Sequence, residues 1–290
     1  MWPLYILFNK NLKAEEEAAL SKRERSSFLE SYPHEKLSTN GKCSVSVLPS
    51  SYIVDVPHVN QLYSWDCGLA CVLMVFRTFS INVHSIESLA ELCCTTSIWT
   101  VDLAYLLQKF SVSFSYYTVT FGANPNYSVE TFYKEQLPND LIRVDMLFKK
   151  SLEAGINIQC RSLSIEEISL LILSGEYIAI ALVDQYKLSR SWLKDVFISD
   201  ISDINSGYTG HYVIICGYDT ETDEFEIRDP ASSRKHIKIS SDCLEEARKS
   251  FGTDEDLLLI SLDEIDRKRI RISPSLQLSP HVKVGSFCQI

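Results

Sequence analysis

Three short segments, far apart in the chain, hold residue types that together can perform nucleophilic catalysis. The first reads Gln61 to Tyr63, then Ser64-Trp65-Asp66-Cys67-Gly68-Leu69-Ala70-Cys71. A cysteine in the first turn of a helix sits at the positive end of the helix dipole, and beside a histidine it is drawn toward the thiolate, the nucleophilic form. Gly68 lets backbone approach a substrate closely, and Gln61 can aim its side-chain amide at an oxyanion next to the Cys67 N–H. The second segment, Gly210-His211-Tyr212-Val213-Ile214-Ile215, supplies a base, and the third, Arg228-Asp229-Pro230-Ala231, a carboxylate to orient it. Cys67, His211, Asp229 and Gln61 thus read as nucleophile, base, orienter and oxyanion donor. Each segment alone has an ordinary structural reading: a core cysteine, a strand-end histidine, an Asp-Pro turn.

The positioning elements follow from periodicity and punctuation. A short strand at 52–57 ends on Pro57, and a polar turn leads to a helix over 67–79 with a wide apolar face. Helices are expected over 85–93, 100–110, 139–154 (closed by Gly155) and 165–173 (ended by Gly175). Strands are expected over 112–120, 177–183, 211–218 and 224–229. The last two are joined by a short turn, so they should pair as a hairpin with His211 and Asp229 at the same end. Helices first and an antiparallel sheet second give an α+β arrangement. Residues 1–48 form an N-terminal extension, 49–270 one domain, and 271–290 a C-terminal tail. Residues 187–209 are long for a hairpin connection, so they are read as an insertion that packs as decoration, closes as a lid or meets a protein partner.

Composition narrows the classes. With 290 residues, 38 acidic and 28 basic side chains, the net charge is −10, which repels phosphate backbones and argues against nucleic-acid binding. Nine cysteines at irregular spacing suit a reducing compartment better than a disulfide framework, and no paired Cys-x-x-Cys zinc pattern is present. The apolar run after Met1 is too short to span a bilayer, so no membrane association is expected and the location expected is cytoplasmic.

These segments resemble the papain-like fold and, within it, the C39-like peptidases. That resemblance is carried by Gln61, by Asp66-Cys67-Gly68-Leu69-Ala70, by His211-Tyr212-Val213 and by Asp229-Pro230, over roughly 52–262. It implies a cysteine peptidase or other acyl hydrolase, acting on a peptide or acyl substrate. At closer range the chain, from Met1-Trp2-Pro3-Leu4 through Ser97 to Leu107 and on to the C-terminal strands, is similar to the plant guanylyl cyclase 1 family. This resemblance leads the functional reading. It implies conversion of GTP to cyclic GMP and pyrophosphate with Mg2+ or Mn2+. A non-catalytic binding module on the same scaffold is the remaining alternative.

The search pattern used for plant cyclases has its nearest match at Trp99-Thr100-Val101 followed by Lys109, with Ile98 and Asp102 departing from it. The resemblance makes Trp99, Thr100 and Lys109 the nucleotide-binding candidates and leaves Asp102 as the one metal-ligand candidate. The same stretch also reads as a packed helix: Val101, Ala104 and Leu107 recur on one face, and Lys109 falls in the last turn, where a cation is favoured.

Overall fold

The structure, a computed structural model, describes residues 48–193 and 208–262. The N-terminal extension, residues 194–207 of the insertion and the C-terminal tail lie outside the described residues. Helix α1 (Cys67–Thr78) is apolar on all sides, and ten consecutive residues from Cys67 to Phe76 are buried, which marks it as the central helix. It ends where Ser80 turns to a φ of +57° and the Ile81 N–H closes back onto the Phe76 carbonyl at 2.8 Å. Helices α2 (Ile86–Cys93), α3 (Thr100–Lys109), α4 (Thr131–Lys134) and α5 (Leu137–Lys150) follow, interrupted by strand β2. Helices α6 (Ile165–Leu173), α7 (Gln185–Leu193) and α8 (Ser241–Arg248) come later, between strands.

One sheet contains β1 (Ser51–Ile53), β2 (Phe114–Thr118), β3 (Ile158–Cys160), β4 (Tyr177–Asp184), β5 (Gly210–Asp219), β6 (Glu224–Arg228), β7 (Ile237–Ser240) and β8 (Leu257–Ser261). Its order is β3-β2-β8-β4-β5-β6-β7, with β1 pairing the end of β5. All pairs are antiparallel except β2 with β3, which is parallel. The fold is the expected α+β arrangement: a helix that begins at the cysteine lies against a largely antiparallel sheet that carries the histidine, with the aspartate just after its partner strand.

The sheet is covered on both faces. Ile178, Ile180 and Leu182 of β4, with Tyr212, Ile214 and Cys216 of β5, join the core that holds α1, α2, α3 and α5. The alternate residues Ala179, Ala181, Val183, Val213 and Ile215 face Ile168 and Ile172 of α6, Leu188 of α7, and Leu244 and Ala247 of α8. This alternation is the period of two that a strand buried on both sides imposes. Helices therefore do not simply precede the sheet: α6, α7 and α8 are threaded between its strands to cover the second face. Strand β8, a continuous apolar run, fills the sheet centre between β2 and β4. Helix α7 takes up the first part of the segment read as an insertion.

Close packing of α1 on the sheet depends on Gly68. A β-carbon there would lie 2.9 Å from Leu103 Cδ1 and 2.9 Å from the Tyr212 ring. The sequence reading gave Gly68 to substrate approach, whereas the structure gives its bare Cα to helix–sheet packing. Valine at this position should lower unfolding stability by about 1–3 kcal/mol in denaturant titrations. Wild-type stability in Gly68→Val would show that the α1–β5 contact is not tight.

Candidate active site

Asp66 precedes α1 and shapes the turn that leads into it. Its Oδ1 accepts the backbone N–H groups of Leu62 and Tyr63, each at 3.1 Å, while burial pushes its pKa up against those donors. Cys67 thus begins the helix with its N–H outside the intrahelical ladder, at the positive end of the dipole. His211 stands at the start of β5, and Asp229 directly follows β6; these two strands pair antiparallel with Ile214 opposite Arg228. The hairpin brings the His211 Nε2 and Asp229 Oδ1 to 2.7 Å, both residues buried. Nε2 is therefore committed to the carboxylate, which leaves Nδ1 for the thiol.

The surrounding backbone locks Asp229 in place. Its Oδ1 also accepts the Ala231 N–H at 2.8 Å. The segment before α1 is stitched to the loop after β6: His58 Nε2 bonds the Asp229 carbonyl at 3.0 Å, the Gln61 N–H donates to the Pro230 carbonyl at 2.9 Å, and Asn60 Nδ2 donates to the Ser232 carbonyl at 2.7 Å. Burial alone would raise the Asp229 pKa, but the hydrogen bond and charge of His211, with the Ala231 N–H, hold it below its usual value. Burial likewise would lower His211, but its hydrogen bonds to Asp229 and Cys67 prevail and raise it from 6.5 to about 9. The imidazole is thus poised to be cationic near neutrality.

Gln61, Cys67, Trp99, His211 and Tyr212 all line one cavity of about 650 Å³. The Gln61 Nε2 donates one hydrogen to the Tyr63 carbonyl at 2.8 Å, which fixes the amide and leaves its second N–H free. Its Oε1 is buried without a partner. The cysteine, histidine and glutamine are therefore assembled around a single cleft, with the aspartate bonded to the histidine behind its wall.

Residues 56–260 match a family described as guanylylate cyclase. Over 268 residues the chain is 64% identical to Guanylyl cyclase 1 of Arabidopsis thaliana, an alignment that covers 91% of this chain and 98% of that one. The chain belongs to the guanylylate cyclase family. Among solved structures it is similar to a putative C39-like peptidase from Bacillus anthracis, with a TM-score of 0.42 and 14% identity over 72% of this chain and 96% of that one. It is also similar to xylellain, a cysteine protease from Xylella fastidiosa, with a TM-score of 0.39 and 13% identity over 77% and 90% of the two chains.

In this guanylylate cyclase family member the nucleotide candidates do not converge. Trp99 reaches the cavity wall, with its indole N–H held by Asp140 Oδ2 at 3.0 Å. Thr100 is buried, and its hydroxyl bonds the Tyr212 hydroxyl at 2.9 Å. Lys109 is exposed at the far end of α3, about 13 Å along the helix axis from Thr100. Asp102 is buried and fully engaged: Oδ2 accepts the Trp99 N–H at 2.9 Å, closing the start of α3, and Oδ1 pairs with Arg143 at 2.5 Å. Arg143 also holds Asp140 at 3.1 Å and the Ser97 carbonyl at 2.8 Å. A divalent cation at Asp102 would have to displace a guanidinium, and no cluster of three or more His, Cys, Asp or Glu ligands forms among the described residues. These residues do not fit a magnesium or manganese centre. No helix among the described residues is long and apolar enough to cross a membrane, and the seven described cysteines are free.

Sequence reasoning missed the Arg143–Asp102–Asp140 network behind Trp99, and it missed the cavity contributions of Trp65, Phe132, Tyr133 and Glu135. Only Trp65, immediately before Asp66-Cys67, carried a signal by proximity. The aromatic residues of α4 arrive by tertiary folding alone.

The raised His211 pKa has a stability consequence with a definite sign. A folded-state value above the unfolded one contributes stability that is fully present below pH 6.5 and is lost as pH rises through about 9. The loss should be on the order of 3 kcal/mol. Chemical denaturation of wild type across that range should show the decline and His211→Gln should not; equal slopes would refute the coupling.

Proposed function

We propose that this protein is a cysteine-dependent enzyme acting on an acyl bond, of the peptide, isopeptide or ester type. The observation that carries the proposal is the buried 2.7 Å His211–Asp229 contact, with His211 also bonded to Cys67 and both of these lining one cavity. In this reading the Cys67 thiolate attacks the substrate carbonyl carbon, and the carbonyl oxygen gathers negative charge. The free Gln61 N–H and the Cys67 backbone N–H stabilise that charge. The His211 imidazolium then gives its proton to the departing amine or alcohol as the C–N or C–O bond breaks, leaving a thioester on Cys67. Water attacks the thioester, His211 takes its proton, and the carboxylic acid leaves with the thiol regenerated. Asp229 keeps the imidazole oriented and compensates its charge.

A second reading is favoured by the family itself, and by the 64% identity to a protein named guanylyl cyclase. It is conversion of GTP to cyclic GMP and pyrophosphate with Mg2+ or Mn2+ as cofactor. In this reading Asp102 would have to give up Arg143 to meet the metal, and the thiol would be a bystander.

The two readings part on Cys67. Alkylation by iodoacetamide, mapped by mass spectrometry, should label Cys67 at least roughly tenfold faster than exposed Cys160, and Asp229→Ala should slow it. Turnover of acyl substrates should vanish in Cys67→Ala and fall roughly 10²–10⁴-fold in His211→Ala. A sluggish Cys67, together with metal-dependent cyclic GMP formation undiminished in Cys67→Ala, would replace the first reading with the second.

A further inference from the structure

The walls of the Cys67 cavity have a definite chemical character. Trp65, Trp99, Phe132 and Tyr133 contribute aromatic surface, and Glu135 is the one carboxylate among the described lining residues. No lysine or arginine is among those residues. The aromatic groups are mutually braced: the Trp99 and Tyr133 ring centroids are 5.2 Å apart, and Phe132 meets Tyr133 edge-on at 5.0 Å. Polar anchors fix two of the rings from behind, since Trp99 donates to Asp140 and the Tyr133 hydroxyl donates to the Gly252 carbonyl at 2.6 Å. Phe132 is half exposed and Glu135 is exposed, and no described cation pairs with Glu135. The guanidinium behind Trp99, that of Arg143, is already held by Asp102, Asp140 and the Ser97 carbonyl.

From this we infer that the cavity selects a substrate with a cationic group next to the reacting carbonyl, such as a lysine or arginine side chain or an amine. The inference rests on the acyl-transfer reading and names its substrate class. A cation gains attraction from the unpaired carboxylate of Glu135 and from aromatic surface at the rim, where Phe132 is the exposed ring. The net charge of −10 adds a field of the same sign. An anionic group meets the opposite of each contribution, and the one lining group that carries positive charge, the His211 imidazole, is already bonded to Asp229.

Thiol-directed methanethiosulfonate reagents test the charge preference without requiring turnover. Rates at Cys67 are measured with the neutral methyl, cationic 2-aminoethyl and anionic 2-sulfonatoethyl reagents, with Cys160 of the same molecule as internal reference and Cys67→Ser to verify the assignment. The cationic-to-anionic rate ratio at Cys67 should exceed that at Cys160 by about tenfold. Glu135→Gln should shrink the ratio, Glu135→Lys should invert it, and added salt should weaken it. A ratio equal to that of Cys160, or one indifferent to Glu135→Lys, overturns the inference while leaving the reactive thiol intact. Failure of even the neutral reagent to modify Cys67 overturns the acyl-transfer reading and this inference with it.

Discussion

Placing an imidazole and a carboxylate together in the interior removes both from water, and that loss must be offset locally or the pair would neutralise or the site would open. Around His211 and Asp229 the offset has three parts: the 2.7 Å bond between them, the Ala231 N–H, and the thiol of Cys67. Each part demands a particular placement of backbone. The Ala231 N–H requires the Asp-Pro turn after β6, the imidazole requires β5 to pair with β6 in one register, and the thiol requires α1 to begin at Cys67. The tight seat of Gly68 on Tyr212 and the clamp of residues 58–61 on residues 229–232 then serve one end, holding three distant segments to hydrogen-bond tolerance.

The second polar network works differently. Arg143 gathers Asp102 and Asp140 beneath Trp99, a guanidinium answering two carboxylates and a backbone carbonyl. Here the buried charges hold α3 and α5 together and steady the indole in the cavity wall. Of the residues that in sequence suggest a nucleotide or metal contact, Trp99 and Asp102 are thereby engaged in structure.

The sequence by itself carried the juxtaposition of Cys67, His211 and Asp229. Cysteine at a helix start, histidine at a strand start and Asp-Pro after the partner strand are local signals, readable because helix dipole, strand period and hairpin connection act over a few residues. The helices at 67–78, 86–93, 100–109 and 165–173 and the strands at 177–184, 210–219 and 224–228 followed from the same short-range rules. So did the α+β class, and so did the pairing of His211 with Asp229.

Tertiary structure decided the remainder. The central place of β8 could not be read from Leu257-Leu258-Leu259-Ile260, since a short apolar run has no period to distinguish strand from buried helix. The parallel β2–β3 pair and the helices on the second face depend on long-range closure of the sheet. Whether Asp102 faces a cation or Arg143, and whether Lys109 reaches the cavity that Trp99 lines, depend on how α3 is rotated and what packs against it. Gly68 shows the same division: its need for a bare Cα was legible, but the neighbour that requires it, Tyr212 rather than a substrate, was set only when helix met sheet. Local interactions fix what each segment is, whereas contacts between segments, separated by up to 172 residues here, fix what each side chain faces.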